Sequence, residues 1–247
     1  MKILREDHFF CIAWLTFISC VKYSYASLYS EELDPVYGTR KFAPTNRYKE
    51  AIAEHLSRFV KNNTIFVEIT SGTGQLISFL ADYFPAITFV PSDHDPYNIP
   101  SIEFYKKLNM VGNLKAPFLF DVRIDSNKWF KRTMQNETVD YIFNSYLIHL
   151  APPECYKALI QGVNQYLKHR GLFFLFGPFK YLNNTLTEAD RIFDQQLKEA
   201  NPLWGLRDAE EEIRVELEKL NILLCVTFNF AFDLQLQVYK KGTRVLW

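Results

Sequence analysis

From Arg40 onward the chain alternates short apolar runs with stretches whose apolar residues recur every three or four positions. Ile52, Leu56, Phe59 and Val60 share one helical face over 47–60, and Leu76, Phe79, Leu80 and Tyr83 share one over 75–83. The same spacing predicts helices over 102–108, 153–167, 188–199 and 209–220. Pro153 suits the first turn of its helix, Glu154 favours the dipole there, and Gly171 is the expected stop. Between these stretches lie β-branched and aromatic runs, predicted strands at 64–69, 87–90, 116–120, 139–144, 172–176, 223–228 and 234–239.

Strands separated by helices of this size imply βαβ units and a mainly parallel sheet. The run at 172–176 is apolar throughout, as burial on both faces requires. Only 229–233 separates the last two strands, enough for a hairpin but not for a parallel crossover. The expectation is an α/β, Rossmann-like sheet of seven strands, mainly parallel with an antiparallel last strand and helices on both faces. No internal repeat or low-complexity tract interrupts it.

The first predicted strand runs into Ser71-Gly72-Thr73-Gly74-Gln75, where a turn and a helix N-terminus present backbone N–H groups. A dinucleotide fingerprint needs a third glycine at position 77, which is Ile77, and a P-loop needs Gly-Lys-Ser/Thr, which is absent. An adenosine ligand without phosphates needs less. Asp93, 19 residues after Gly74, ends the second strand and is placed to accept ribose hydroxyls. Asp121, ending the third, is placed to accept from an adenine amino group, and Glu68 to hold the polar end of the ligand. Each acid read singly is as well explained as a turn former or helix cap; three on successive strand ends beside a glycine loop argue for a site.

Charge adds an exclusion. Lys plus Arg equals Asp plus Glu at 28 each among 247 residues, with no basic stripe, so no nucleic-acid partner is expected. Residues before 40 read differently. Lys2 and Arg5 precede an apolar run of 13 residues, Phe9 to Val21, followed by Ser24-Tyr25-Ala26. That is the layout of a secretory signal peptide, and it is short of the ~20 residues of a membrane span. The expected organisation is a signal peptide over 1–26, a linker over 27–39, a domain over 40–241 and a tail over 242–247. Secretion is expected, with a cytoplasmic location as the alternative, and no stable membrane span. Asn62, Asn136 and Asn183 begin glycosylation triplets in expected loops. Cys155 and Cys225, far apart, suggest two buried unlinked thiols and no metal site.

Several segments together resemble the methyltransferase-like protein 26 family of class I methyltransferase-like proteins. They are Arg40 to Pro44 (RKFAP), Ser71 to Gln75, Pro91 to Pro96 (PSDHDP), Ile148 to Pro152 (IHLAP), Phe176 to Phe179 (FGPF) and Phe193 to Asp208. The resemblance covers roughly Arg40 to Lys240. It implies S-adenosylmethionine as cofactor, with Ser71 and Gln75 joining Glu68, Gly72, Gly74, Asp93 and Asp121 around it. Departures from the family pattern are aromatic or aliphatic: Leu76 for a histidine, Tyr48 and Tyr146 for asparagines, and Phe230-Ala231-Phe232-Asp233 for Pro-Ala-Asn-Asn.

Methyl transfer needs an aligned nucleophile and, for a protonated one, a base. His149, just past the fourth strand, is the candidate base; the alternative is a packed core histidine. Tyr146 is the candidate substrate-orienting residue, and Arg40, Trp204 and Arg207 are candidate pocket residues, Trp204-Gly205 reading equally well as a packed corner. The 22 Phe and 14 Tyr are expected to fill the core. Two classes of function stand: a monomeric methyltransferase acting on a small molecule, and a secreted binding or interaction protein that keeps the fold without the chemistry.

Overall fold

The computed structural model describes residues 31–33, 40–124, 129, 138–181, 186–231 and 234–242, with side chains from residue 47. In chain order the elements are β1 (Glu31–Leu33), β2 (Arg40–Phe42), α1 (Ala43–Leu56), β3 (Ile65–Ile69), α2 (Gln75–Tyr83), β4 (Thr88–Asp93), α3 (Asn98–Leu108) and β5 (Phe118–Leu119). They continue with β6 (Val139–Ser145), α4 (Pro153–Tyr166), β7 (Leu167–Pro178) and α5 (Glu188–Ala200). A π-helical turn (Ala209–Arg214) then leads into α6 (Val215–Lys219), β8 (Ile222–Asn229) and β9 (Leu234–Lys241). Seven strands form one sheet in the order β5-β4-β3-β6-β7-β9-β8, and β1, from the expected linker, pairs antiparallel with β2 at the start of the expected domain.

β3 pairs parallel with both β4 and β6, β4 with β5, and β6 with β7; β9 runs antiparallel between β7 and β8. The expected hairpin is therefore present, and its return strand inserts beside β7 instead of adding to the edge. Side-chain alternation along β3 divides the core. Phe66 joins α1 and α2 through Ile52, Leu56, Ile77 and Leu80, while Val67 and Ile69 join α4 through Leu159 and Val163. Both faces are covered, as a mainly parallel sheet requires.

Three expectations shift. α4 ends at Tyr166, and β7 starts at Leu167, before Gly171. The irregularity sits at Arg170 (φ 65°), where the register against β6 jumps between Val139 and Tyr141. β4 runs through Pro91 to Asp93. Phe89 bonds toward Asn113 and Lys115, so by the two-residue period Pro91 faces the same side, between that bridge and β5, where its missing N–H costs no ladder bond. Cys155 is buried but Cys225 is exposed; neither is bridged. Among the described residues no helix is long and apolar enough to cross a membrane, and no group of His, Cys, Asp and Glu could hold a metal ion.

Candidate functional site

The chain leaves β3 toward β4 and β5 on one side and returns across it to β6 on the other. At such a switch point the loops beyond the strand ends part and leave a crevice. A cavity of about 460 Å³ lies there, within the ~300–1,000 Å³ usual for small-molecule sites. It brings together seven of the expected residues: Glu68, Ser71, Gly72, Asp93, Asp121, Tyr146 and Trp204.

The glycine loop is tied to β4 at three points. Ser71 N–H donates to the Ser92 carbonyl (2.7 Å), Ser92 N–H donates to Ser71 Oγ (3.2 Å), and Gly72 N–H donates to Asp93 Oδ2 (2.7 Å). The other Asp93 oxygen accepts from Asp95 N–H (2.9 Å) and Asn98 Nδ2 (3.2 Å). A carboxylate offers about four acceptor positions, so Asp93 braces the loop and retains capacity on Oδ2 for a ligand hydroxyl. Gly74 does not line the cavity. Its φ of 85° and the Ile102 Cα, 2.8 Å from where a Cβ would stand, make it a packing requirement of α2 on α3.

Glu68 is 1% exposed, and its Oε2 has no hydrogen-bond partner. Burial, partly offset by Ser71 and reinforced by Asp93, pushes its carboxyl up to about 8. It is thus neutral at pH 7 and faces a cavity in which a cationic group would restore its charge. Asp121, at the rim, is held by Arg123: Nε lies 3.0 Å from both oxygens and a terminal nitrogen 2.5 Å from Oδ2. That guanidinium keeps the Asp121 carboxyl below the usual range. A ligand amino group meets this carboxylate only by sharing it with Arg123.

His149 departs from its expected place. It is fully buried and not in the cavity lining. Its ring packs edge-on to Phe179 with centroids 5.4 Å apart, and its Nε2 lies 2.9 Å from where a Gly177 Cβ would stand. Burial first, then the Arg207 charge, push the imidazole down to about 3, so it stays neutral, out of reach of a ligand in this cavity. Arg207 departs too. Its Nε donates to the Ile148 carbonyl (2.9 Å), and a terminal nitrogen donates to the carbonyls of Ala151 (3.0 Å) and Leu203 (2.7 Å). The guanidinium also lies over Tyr156. It clamps the post-β6 loop to the post-α5 turn, from behind the cavity.

Gln75 is buried at the start of α2, outside the lining. Arg40 has its backbone in β2, and its side chain lies outside the described residues. Asn62 is exposed in the turn before β3; Asn136, Asn183 and the expected signal peptide lie outside the described residues. Sequence reasoning missed Asp95, Asn98, Arg123, Cys155 and Asn201 as lining residues. Asp95 had a signal, its place two residues after Asp93, but Asp95-Pro96 reads first as a turn.

A parallel sheet of this order, with an antiparallel strand beside its far edge and a ligand-sized cavity at the switch point, is a methyltransferase fold of the Rossmann-like type. An O-methyltransferase family protein from Burkholderia thailandensis superposes with a TM-score of 0.69 at 10% identity, over 81% of this chain and 57% of that one. An O-methyltransferase family 2 protein from Planctomyces limnophilus, in complex with apigenin, gives 0.62 at 11% over 81% and 63%. The PH0226 protein from Pyrococcus horikoshii gives 0.61 at 17% over 81% and 92%. The chain thus spans little more than half of the Burkholderia protein. Residues 40–241 match the family described as Protein of unknown function (DUF938), and the chain belongs to that family.

Proposed function

We propose that the protein is an S-adenosylmethionine-dependent methyltransferase acting on a small molecule. The observation that carries this reading is the buried Glu68 carboxyl, whose Oε2 has no hydrogen-bond partner, facing a cavity between the glycine loop and the acids ending β4 and β5. When bound, the cofactor supplies an electrophilic methyl group on a sulfonium. The chain's own residues hold it. The Gly72 loop lets backbone approach the ligand, Asp93 accepts from the ribose, and Asp121 with Arg123 borders the adenine. Glu68 takes the ammonium end and gives up its proton on doing so. The resemblance to methyltransferase-like protein 26 supports the same assignment.

A second reading, a secreted binding protein that keeps the fold and lacks the chemistry, is favoured by His149, the expected base, which is buried away from the cavity. Calorimetric titration with S-adenosylmethionine and its demethylated product separates ligand binding from its absence. We expect binding by the full chain, weaker in Asp93→Asn; no heat at millimolar ligand ends the enzyme reading. Binding without methylation of any small molecule in a metabolite extract, followed by mass spectrometry, leaves the second. For the leader, cleavage after Ala26 is the proposal, and an intact Met1 on N-terminal sequencing of the expressed protein refutes it.

A further inference from the structure

The acidic and basic side chains that line the cavity are Glu68, Asp93, His94, Asp95, Asp121 and Arg123. All of them come from β3, the end of β4 and the loops that follow β4 and β5. The other bank comes from the end of β6, the loop after it, the start of α4 and the turn after α5. Its described lining residues include Tyr146, Leu147, Leu150 and Trp204, and none of them carries a formal charge at neutral pH. Leu76 extends the apolar surface from the start of α2. The polar side chains among its described lining residues are Ser145, Asn201, the Cys155 thiol and the Trp204 indole, together with Tyr146, whose hydroxyl is buried.

This bank is also backed by rigid packing. The Tyr146 ring meets Phe176 edge-on at 6.0 Å. Phe176 in turn carries Phe230 at 5.3 Å and Tyr48 at 6.4 Å, and Tyr48 and Phe230 meet at 5.7 Å. Tyr146 stands at φ 61°, a conformation unusual for a bulky side chain, held by its N–H bond to the Phe176 carbonyl. The buried rings of Phe176 and Tyr48, with the partly buried Phe230, stand behind it and keep the pocket from closing by collapse of its lining.

Resting on the methyltransferase reading, we propose that this second bank binds the methyl acceptor, and that the acceptor is an uncharged molecule with a flat, ring-containing apolar body and a single polar end. A charged acceptor would bury its charge against Leu76, Leu147, Leu150 and Trp204 with no counter-charge on that bank. Rings suit the partly exposed Trp204, which binds flat apolar bodies through offset or edge contacts, over the buried Tyr146 ring. The polar end has Asn201 or Ser145 to meet.

The test uses the full chain and two probes with the same rings, 2-naphthol and naphthalene-2-carboxylate. Each is titrated by calorimetry with and without saturating S-adenosylhomocysteine. We expect 2-naphthol to bind at least about tenfold more tightly than the carboxylate, the ratio that 1.4 kcal/mol of difference produces. Leu150→Gln weakens 2-naphthol and leaves S-adenosylhomocysteine binding unchanged. Trp204→Phe keeps 2-naphthol binding but removes the tryptophan fluorescence change that accompanies it, which locates the probe even if the Leu150 variant fails to fold. Equal or tighter binding of the carboxylate overturns the inference. So does no binding of 2-naphthol by a protein that binds S-adenosylhomocysteine. If 2-naphthol binds at Trp204 and S-adenosylhomocysteine does not, the apolar bank stands and the cofactor reading falls.

Discussion

The two banks of the cavity solve the same problem in opposite ways. Each is a loop leaving the C-terminal end of a central strand, each bends through positive φ (Gly72 at 55°, Tyr146 at 61°), and each needs a brace. On the glycine bank the brace is Asp93, a carboxylate that itself lines the cavity. On the other bank it is Arg207, which grips three carbonyls from outside. A brace that faces the ligand can bind it. One that stands behind the wall fixes only the wall's shape. The buried titratable groups divide the same way: Glu68 faces the cavity, and His149 is packed away from it.

Removing the hidden brace gives the largest expected effect. Arg207→Met strands the carbonyls of Ile148, Ala151 and Leu203 beside a buried loop. Urea unfolding is expected to show a loss of roughly 3–5 kcal/mol, in the range of breaking a buried charged network. Affinity of the remaining folded protein for S-adenosylmethionine stays near that of the wild type. Wild-type stability in this variant would mean that Arg207 braces nothing.

Asp93→Asn attacks the visible brace. Its expected signature is a loss in adenosyl-ligand binding of about 1.5–3 kcal/mol, the worth of charge-assisted hydrogen bonds, with a smaller loss in stability. If stability falls and binding to the folded fraction does not, Asp93 is a brace alone and the contrast between the banks disappears.

The two buried groups make the contrast readable as pH dependence. Glu68 keeps its proton in the folded chain up to about 8, against an ordinary value of 4.5, so its contribution is full below 4.5 and is lost as pH rises toward 8. His149 is held neutral down to about 3, against 6.5, so its contribution is present above 6.5 and is lost as pH falls toward 3. Between 4.5 and 6.5 the two slopes oppose and cancel. Above 6.5 only Glu68 acts, and stability is expected to fall by about 2 kcal/mol by pH 8, at roughly 1.4 kcal/mol per unit. Glu68→Gln should flatten this alkaline limb and uncover the rising His149 slope between 4.5 and 6.5, extending the acid limb. An unchanged slope between pH 6.5 and 8 in that variant would remove Glu68 as its source. Proton release on binding S-adenosylmethionine, read from the dependence of the calorimetric heat on buffer ionisation, should vanish in the same variant.

The glycine bank is more legible in the sequence than the other. Strand ends are visible as the point where an apolar run meets a turn, so the residue pattern alone assigns Glu68, Gly72, Asp93 and Asp121 to one edge of the sheet. The helix over 75–83 is readable to the residue, because Leu76 and Leu80 bury one stripe. The second bank depends on which way a loop turns after its strand. Nothing in Ile148-His149-Leu150 says that Leu150 reaches the cavity and His149 the core, since a loop has no period to read. Arg207 failed for a related reason. A guanidinium beside a Trp-Gly corner suits a ligand carboxylate and three backbone carbonyls equally well, and only the fold brings Ile148 and Ala151 within its reach. Gly171 misled because a glycine after a helix looks like a stop, whereas here it continues a strand just past a bulge.

The smallest effects separate what a glycine does for the fold from what it does for a ligand. Both Gly72 and Gly74 have positive φ, so alanine at either position is strained by about 1–2 kcal/mol. At Gly74 the new Cβ would also press on the Ile102 backbone at 2.8 Å, and the cost adds to the strain. At Gly72 nothing lies within 4 Å, and the residue lines the cavity. Gly72→Ala should therefore lose only the strain energy in thermal unfolding while weakening adenosyl-ligand binding about tenfold or more. Gly74→Ala should show the reverse weighting, with the larger stability loss. Equal losses of stability and binding in the two variants would mean that the loop acts as one structural unit, and that the open space over Gly72 is not where the ligand lies.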